Sequence, residues 1–177
     1  MKSITEVVFL RVPLPKSGDV VKYLNGIPQV QAAAAVYSDV DVVAVVVGTK
    51  GELDAVHDRF GGGEAPIASF ACFEVDTVQP GTAVMSRSTQ AACAAFVRCT
   101  IGTPAVSVAY ASSVLSRVAG VVMVFSSAIA EEIILEVVAS DKRSLDHTIM
   151  AVIQGEAGIV TSTRSYIVIN AMQWRRD

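Results

Sequence analysis

The chain has 177 residues, of which 52% are hydrophobic and 18% are charged, and its formal net charge is −3. This composition excludes an intrinsically disordered chain, because the chain can bury ample apolar surface. The acidic balance does not favour a broadly basic nucleic-acid-binding surface, although a local basic patch stays open. The length fits one large domain or two small ones.

The hydropathy pattern predicts a cytoplasmic protein without a membrane span. The longest uncharged stretch, residues 99–116, contains Gly102 and Pro104, which make it a poor spanning helix. Near the N-terminus Glu6 and Arg11 interrupt the early apolar run, so no signal peptide is predicted.

The first half of the chain predicts the element order βαββαβ. Thr49 and Glu52 form a capping box at the start of the second helix, where their side chains can satisfy free amide donors. Leu53, Val56 and Phe60 follow at helical spacing and predict the buried face of that helix. Strands are predicted at residues 6–12, 30–37, 40–47 and 67–75.

The second half repeats this order after a stretch without periodicity. Residues 76–90 carry Pro80, Gly81 and a Ser/Thr cluster, which indicate a linker. A helix is predicted to begin at Thr103-Pro104 and to continue to Val118. The strands of this half are predicted at residues 94–101, 121–127, 131–139 and 159–170.

Residue spacing indicates a duplication. Residues 9–12 (Phe-Leu-Arg-Val) parallel residues 96–99 (Phe-Val-Arg-Cys) at an offset of 87, and residues 27–30 parallel residues 118–121 at an offset of 91. The second copy has therefore gained four residues, and we expect them to lengthen its first helix by about one turn.

The expected fold class is α+β, with two tandem ferredoxin-like βαββαβ domains. Copy 1 is predicted at residues 1–78, a linker at residues 79–91 and copy 2 at residues 92–177. Helices on one face would leave the other face of each sheet uncovered. Two such faces can pack together as in a dimeric α+β barrel, either as a pseudo-dimer within one chain or between chains.

One passage of copy 2 carries a family resemblance. It contains Val118-Ala119-Gly120-Val121, Leu135-Glu136-Val137, an acidic helix start at Asp141 and Gly158-Ile159-Val160. The two copies, about 160 residues together, resemble the ligand-binding and oligomerisation domain of the Lrp/AsnC (feast/famine) transcriptional regulators. The first strand is predicted near residue 6, so the family's N-terminal helix-turn-helix has no counterpart, and direct DNA binding is not expected.

The resemblance implies an effector pocket at the turn between the second and third strands. Copy 1 has Asp39 and Asp41 in this turn, and a carboxylate there could bind the ammonium group of an amino acid. The alternative is that these two acids only solvate a hairpin turn. The candidate ligand-binding residues of both copies are Ser38, Asp39, Asp41, Glu131, Glu132, Thr161 and Thr163.

No motif predicts a catalytic residue, a metal site or a cofactor. The odd set of Cys72, Cys93 and Cys99 has no metal-binding spacing and is expected to supply small buried thiols. His57 and His147 are expected on helix surfaces.

Two arginines occupy matching strand positions in the two copies. Arg11 and Arg98 could pair with carboxylates at an interface between the copies, or point to solvent. Beyond the last strand, Trp174 and its neighbouring arginines are expected to form a loose tail.

These observations lead to three functional hypotheses. The resemblance implies a stand-alone effector-binding protein that senses an amino acid or similar metabolite, forms homo-oligomers and acts through a protein partner, without direct contact with nucleic acid or membrane. The alternatives are an assembly subunit that has lost its pocket, and a dimeric α+β-barrel enzyme of the haem-handling or cofactor-free oxygenase type. The enzyme alternative rests on fold analogy.

Overall fold

The computed structural model describes residues 2–13, 16–83, 93–102, 106–154 and 158–169. The chain divides into two compact units, the first formed by residues 1–75 and 168–177 and the second by residues 76–167. Within the described residues there is no helix with the length and apolar character needed to cross a membrane.

Unit 1 has the element order βαββαβ. Its elements are β1 (Ile4–Arg11), α1 (Ser17–Asn25), β2 (Val30–Tyr37), β3 (Val42–Gly48), α2 (Lys50–Gly61) and β4 (Ser69–Val75). The four strands form an antiparallel sheet in the order β4-β1-β3-β2. The predicted capping box is present, since the Glu52 carboxylate accepts a hydrogen bond of 2.7 Å from the Thr49 amide.

The core of unit 1 lies between one sheet face and the two helices. Because side chains alternate along a strand, Val8 and Leu10 of β1 join this core together with Leu53 of α2. The other sheet face is mainly apolar as well. It is formed by the side chains at the alternate strand positions, among them Val7 and Phe9 of β1.

Unit 2 repeats the order with one added strand. Its elements are β5 (Thr77–Pro80), β6 (Cys93–Ile101), α3 (Val108–Leu115), β7 (Val121–Ser127), β8 (Glu132–Ala139), α4 (Lys142–Gln154) and β9 (Val160–Val168). The strands form an antiparallel sheet in the order β9-β6-β8-β7-β5. The fold is thus α+β, as predicted, and the strand order is consistent with a ferredoxin-like fold.

The two faces of this sheet differ in chemistry. Val97 and Cys99 of β6 and Leu135 of β8 pack with the helices in the apolar core. Alternation along the same strands places Arg98 and Glu136 on the opposite face. This face therefore carries charge.

The structure corrects two expectations about the elements. The predicted lengthening of the second copy's first helix is wrong, since α3 has 8 residues and α1 has 9. The predicted linker at residues 79–91 begins inside β5, whose Gln79 and Pro80 pair with Val124 and Met123 of β7. A four-residue strand containing proline offers too little periodicity for sequence analysis to detect.

Several predicted features lie outside the described residues. These are residues 84–91 of the linker, the helix start at Thr103-Pro104, and the tail with Trp174. The division into copies at residues 1–78 and 92–177 stays a prediction.

Candidate functional site

A charged cluster lies on the helix-free face of the unit 2 sheet. The antiparallel register places Arg98 of β6 directly opposite Arg164 of β9, and Thr100 opposite Ser162. Glu132 of β8 is the cross-strand partner of Thr100. We refer to Arg98, Glu132 and Arg164 as the charged cluster.

The Arg98 guanidinium is held by the Glu132 carboxylate. Its Nε and one terminal nitrogen donate hydrogen bonds of 3.0 and 2.5 Å to the same oxygen, Oε2. The Arg98 side chain is 38% exposed and that of Glu132 is 18% exposed. These hydrogen bonds raise the pKa of Arg98, burial opposes the rise, and the carboxylate charge and a hydrogen bond with Tyr166 add to it. The other carboxylate oxygen, Oε1, takes no part in this pair.

The cluster lines a cavity of about 370 Å³. Two guanidinium groups against one carboxylate give the lining a formal excess of positive charge. Guanidinium groups bind anions through charge-assisted hydrogen bonds. The full lining consists of Arg98, Thr100, Glu132, Ser162, Thr163 and Arg164.

Two further side chains with polar groups, those of Glu136 and Tyr166, are buried on the same sheet face. Glu136 is 0% exposed and pairs in register with Phe96, whose partner on the other side is Tyr166. A buried carboxylate in an otherwise apolar strand is costly unless it has partners, and Glu136 has an interaction partner.

A second cavity, of about 480 Å³, borders the same end of the sheet. It is mainly apolar, and Ile101, Val106 and Val108 are part of its lining. Glu131 also lines it and has a φ of +53°, a left-handed conformation that is uncommon for a residue other than glycine. Glu131 and Glu132 thus border different cavities at one end of the sheet.

The predicted residues of copy 2 fall around these cavities. Glu132 and Thr163 line the polar cavity, and Glu131 lines the apolar one. Thr161 donates a hydrogen bond of 3.3 Å to the Thr100 carbonyl. Its methyl group fills the space beside Gly102, where an added Cβ would lie only 1.7 Å away, so Thr161 serves the packing of this strand end.

The predicted residues of copy 1 have structural partners. The Asp41 carboxylate accepts a hydrogen bond of 2.8 Å from the Val12 amide and so fixes the end of β1. Ser38 donates a hydrogen bond of 3.0 Å to Asp39, and both residues are exposed. These contacts explain the turn without a ligand, and a ligand-binding role for the three residues stays a prediction.

A second polar cluster lies in unit 1. His57 Nε2 of α2 lies 2.8 Å from Glu6 Oε2 of β1 and 3.3 Å from Cys72 Sγ of β4. Partial desolvation of the sulfur, and then the Glu6 carboxylate, raise the pKa of the Cys72 thiol to about 12, although the residue as a whole is exposed. A thiol that is neutral at pH 7 is a poor nucleophile.

Sequence reasoning missed the partners in both clusters. Arg98 pairs with a carboxylate of its own unit, whereas Arg11 at the matching position is exposed. A usable signal was Glu136, the one charge between Ile133 and Val138 in a strand of β-branched residues. His57 is half-buried instead of lying on a free helix surface. Of the three cysteines only Cys99 is buried, while Cys72 is exposed.

Comparisons with solved structures agree on the fold. No family model matches the chain, and no curated protein matches it either. A monooxygenase-type protein from Lactobacillus acidophilus is 11% identical, with a TM-score of 0.64 over 97% of this chain and 95% of that one. The siroheme decarboxylase NirDL, solved with an iron-uroporphyrin III analogue, is 9% identical, with a TM-score of 0.67 over 98% and 73% of the two chains. A monooxygenase-type protein from Fusobacterium nucleatum is 13% identical, with a TM-score of 0.59 over 99% and 94%.

These similarities correct the family resemblance. The assignment to Lrp/AsnC is wrong, because no family model supports it and the similar structures are α+β-barrel proteins of the monooxygenase and siroheme decarboxylase types. The interpretations of the chain as a transcription regulator and as an amino-acid sensor depended on this assignment and are not supported either. The resemblance rested on apolar strand patterns and glycines, which every ferredoxin-like βαββαβ unit needs.

Proposed function

We propose that the chain is an α+β-barrel enzyme that binds a small organic anion at the charged cluster of unit 2. The observation that carries the proposal is the cross-strand pair of Arg98 and Arg164 on a cavity of about 370 Å³ with a single lining carboxylate. Guanidinium groups bind carboxylate and enolate oxygens through charge-assisted hydrogen bonds.

The cavity sizes favour a substrate with a few rings. Volumes of about 370 and 480 Å³ lie near the lower end of the range for small-molecule sites, roughly 300–1,000 Å³. The polar cavity on the helix-free face suits a small molecule with an acidic group. Hydroxyl groups of Thr100 and Ser162 would orient that group beside the arginines.

The reaction class that we propose is oxygenation of an acidic, enolisable substrate, as the monooxygenase-type fold neighbours suggest. Glu132 would accept a substrate proton through Oε1, while Arg98 and Arg164 would stabilise the resulting anion. A methylene that reacts with O₂ would then become a carbonyl, with the second oxygen atom and both hydrogens leaving as water. Glu132 is already held in place by Arg98, so no rearrangement of the pair is needed.

The test uses 1,8-dihydroxyanthrone as a probe, because it is an enolisable aromatic compound of three rings. Binding is measured by calorimetry without O₂, and turnover by O₂ consumption corrected for autoxidation. Arg164→Met should weaken binding about 10- to 100-fold, which corresponds to the loss of about 1.5–3 kcal/mol for a charge-assisted hydrogen bond. Arg117→Met, an exposed arginine of the same unit outside the cavity lining, is the matched control and should bind like the wild type. Equal affinity of wild type and Arg164→Met would refute the site.

A carboxylate-bearing tetrapyrrole is the second candidate ligand. It is favoured by the fold similarity to a siroheme decarboxylase, whose solved complex contains an iron-uroporphyrin III analogue. Haem serves as the probe, and a Soret shift that Arg164→Met reduces would favour this candidate over an anthrone. In that case the propionate carboxylates would take the place of the enolate oxygen at the arginines.

The tandem-copy interpretation forms part of this proposal. Each unit contains one βαββαβ succession with the same relative strand order, which supports a duplication. Homo-oligomerisation is proposed as well, and light scattering at several concentrations would test it. A monomer at all concentrations would exclude it.

A further inference from the structure

The geometry points to a zinc-type divalent cation site formed by Glu6, His57 and Cys72 in unit 1. Their ligand atoms, one from each side chain, all lie within 4.8 Å of one another. Carboxylate oxygen, imidazole nitrogen and thiolate sulfur are the three donor types that Zn²⁺ accepts in proteins. This site is separate from the charged cluster and does not depend on the proposed enzyme function.

The convergence of the three side chains follows from the fold. Val8 of β1 pairs with Cys72 of β4, so Glu6, two positions earlier on β1, shares the sheet face of Cys72. Helix α2 covers that face and places His57 between the two. A ligand set drawn from three separate elements is held by tertiary packing and not by a flexible loop.

The distances fit a bound ion after a small adjustment. Zinc–ligand bonds of about 2.0–2.3 Å at tetrahedral angles place ligand atoms about 3.3–3.7 Å apart. His57 Nε2 now lies 2.8 Å from Glu6 Oε2 and 3.3 Å from Cys72 Sγ. The His57–Glu6 pair therefore needs to separate by about half an ångström, which side-chain rotation can supply, and the His57–Cys72 pair already lies at the lower end of this range.

A bound ion would replace the hydrogen bonds that link the three side chains. His57 Nε2 approaches both the Glu6 carboxylate and the Cys72 sulfur, and the neutral Cys72 thiol hydrogen-bonds with Glu6. On metal binding the thiol proton would leave to solvent and the imidazole proton would move to Nδ1. The ion would then occupy the place of these two protons and form three coordinate bonds to the protein.

The surroundings of His57 resemble the outer shell of a metal site. Its ring lies 6.3 Å from that of Phe60 and 5.6 Å from that of Phe70, and these two rings contact each other edge to face. This apolar wall fixes the imidazole and lowers the local dielectric, which strengthens coordination. Glu74, the exposed cross-strand partner of Glu6, adds a second negative charge that attracts a cation.

Three protein ligands leave the fourth tetrahedral position to water. Catalytic zinc sites keep such an open position, whereas structural sites are usually closed by four protein ligands. Cys72 is exposed, so water and ions can reach the site. We therefore infer an exchangeable ion.

The test is a titration of the full chain with Zn²⁺ by calorimetry under a non-thiol reductant, followed by Co²⁺ absorption. The expected result is one saturable site, with a cobalt–thiolate charge-transfer band and tetrahedral d–d bands. His57→Ala and Cys72→Ser should each weaken Zn²⁺ binding about 100-fold or more, since even outer-shell changes cost 10- to 100-fold. Cys72→Ser should also abolish the thiolate band.

His147→Ala and Cys93→Ser are the matched controls, because both residue types occur again in unit 2 away from this cluster. Both controls should keep the affinity and the cobalt spectrum of the wild type. Circular dichroism of the metal-free variants separates lost binding from lost folding. Unchanged Zn²⁺ affinity in folded His57→Ala and Cys72→Ser, or no saturable site in the wild type, would overturn the inference.

Discussion

The Arg98–Glu132 pair between β6 and β8 should show a measurable coupling free energy in the stability of the protein. The perturbation is a double-mutant cycle with Arg98→Met, Glu132→Gln and the double variant. Exposed ion pairs contribute about 0.2–1 kcal/mol, and hydrogen bonds to charged groups contribute about 1.5–3 kcal/mol. Arg98 is 38% exposed and Glu132 is 18% exposed, so solvent screens part of the interaction. We expect a coupling free energy of about 1–2 kcal/mol.

The assay is urea unfolding followed by circular dichroism, in low and in high salt. Part of the coupling should persist in high salt, because partly buried charges are screened less than exposed ones. A cycle of Arg117→Met with Glu132→Gln is the control and should be additive within about 0.3–0.5 kcal/mol. A coupling no larger than that of this control would refute the role of the pair in organising the cavity.

Three further predictions concern residues with defined structural partners. Asp41→Ala should lower the free energy of unfolding by about 1–2 kcal/mol, since it leaves the Val12 amide without its acceptor, as chemical denaturation would measure. Hydrogen bonds from the first turn of α4 hold the pKa of Asp141 below its usual 3.8. The contribution of the Asp141 carboxylate to the free energy of unfolding is therefore complete above pH 3.8 and is lost as the pH falls through the lower folded-state pKa. Asp141→Asn should remove this loss in an acid titration, and an unchanged acid profile would argue against the cap. Gly120→Ala should destabilise the protein, because φ at this position is +88° and the new Cβ would lie 2.8 Å from a backbone oxygen. At Gly51 in α2 a new Cβ meets nothing within 4 Å, so Gly51→Ala should stabilise the protein by up to about 1 kcal/mol in thermal unfolding.

Much of the secondary structure is predictable from local sequence patterns. The strand at Val30–Tyr37 and the one at Val121–Ser127 have the predicted bounds, because turn residues mark both ends of an apolar run. The capping box at Thr49 was visible because both of its partners lie within one helical turn. Patterns of this kind depend only on near neighbours in the chain.

The candidate sites depend on contacts between distant parts of the chain. Arg98 and Glu132 are 34 positions apart, and His57 and Glu6 are 51 apart. Strand register and helix placement create these contacts, and a single sequence does not encode them in a readable spacing. The family assignment was wrong for a related reason, since its apolar pattern reports the fold shared by many proteins and not the chemistry of a site.

Calorimetric binding of 1,8-dihydroxyanthrone without O₂, comparing the wild type with Arg98→Met, tests the central claim most directly. Arg98 lies at the centre of the charged cluster and is hydrogen-bonded to the carboxylate that we propose as the base. The account predicts saturable binding to the wild type and to Arg117→Met, and a loss of about 10- to 100-fold in Arg98→Met. Equal binding by a folded Arg98→Met variant would contradict the assignment of the anion-binding site to unit 2.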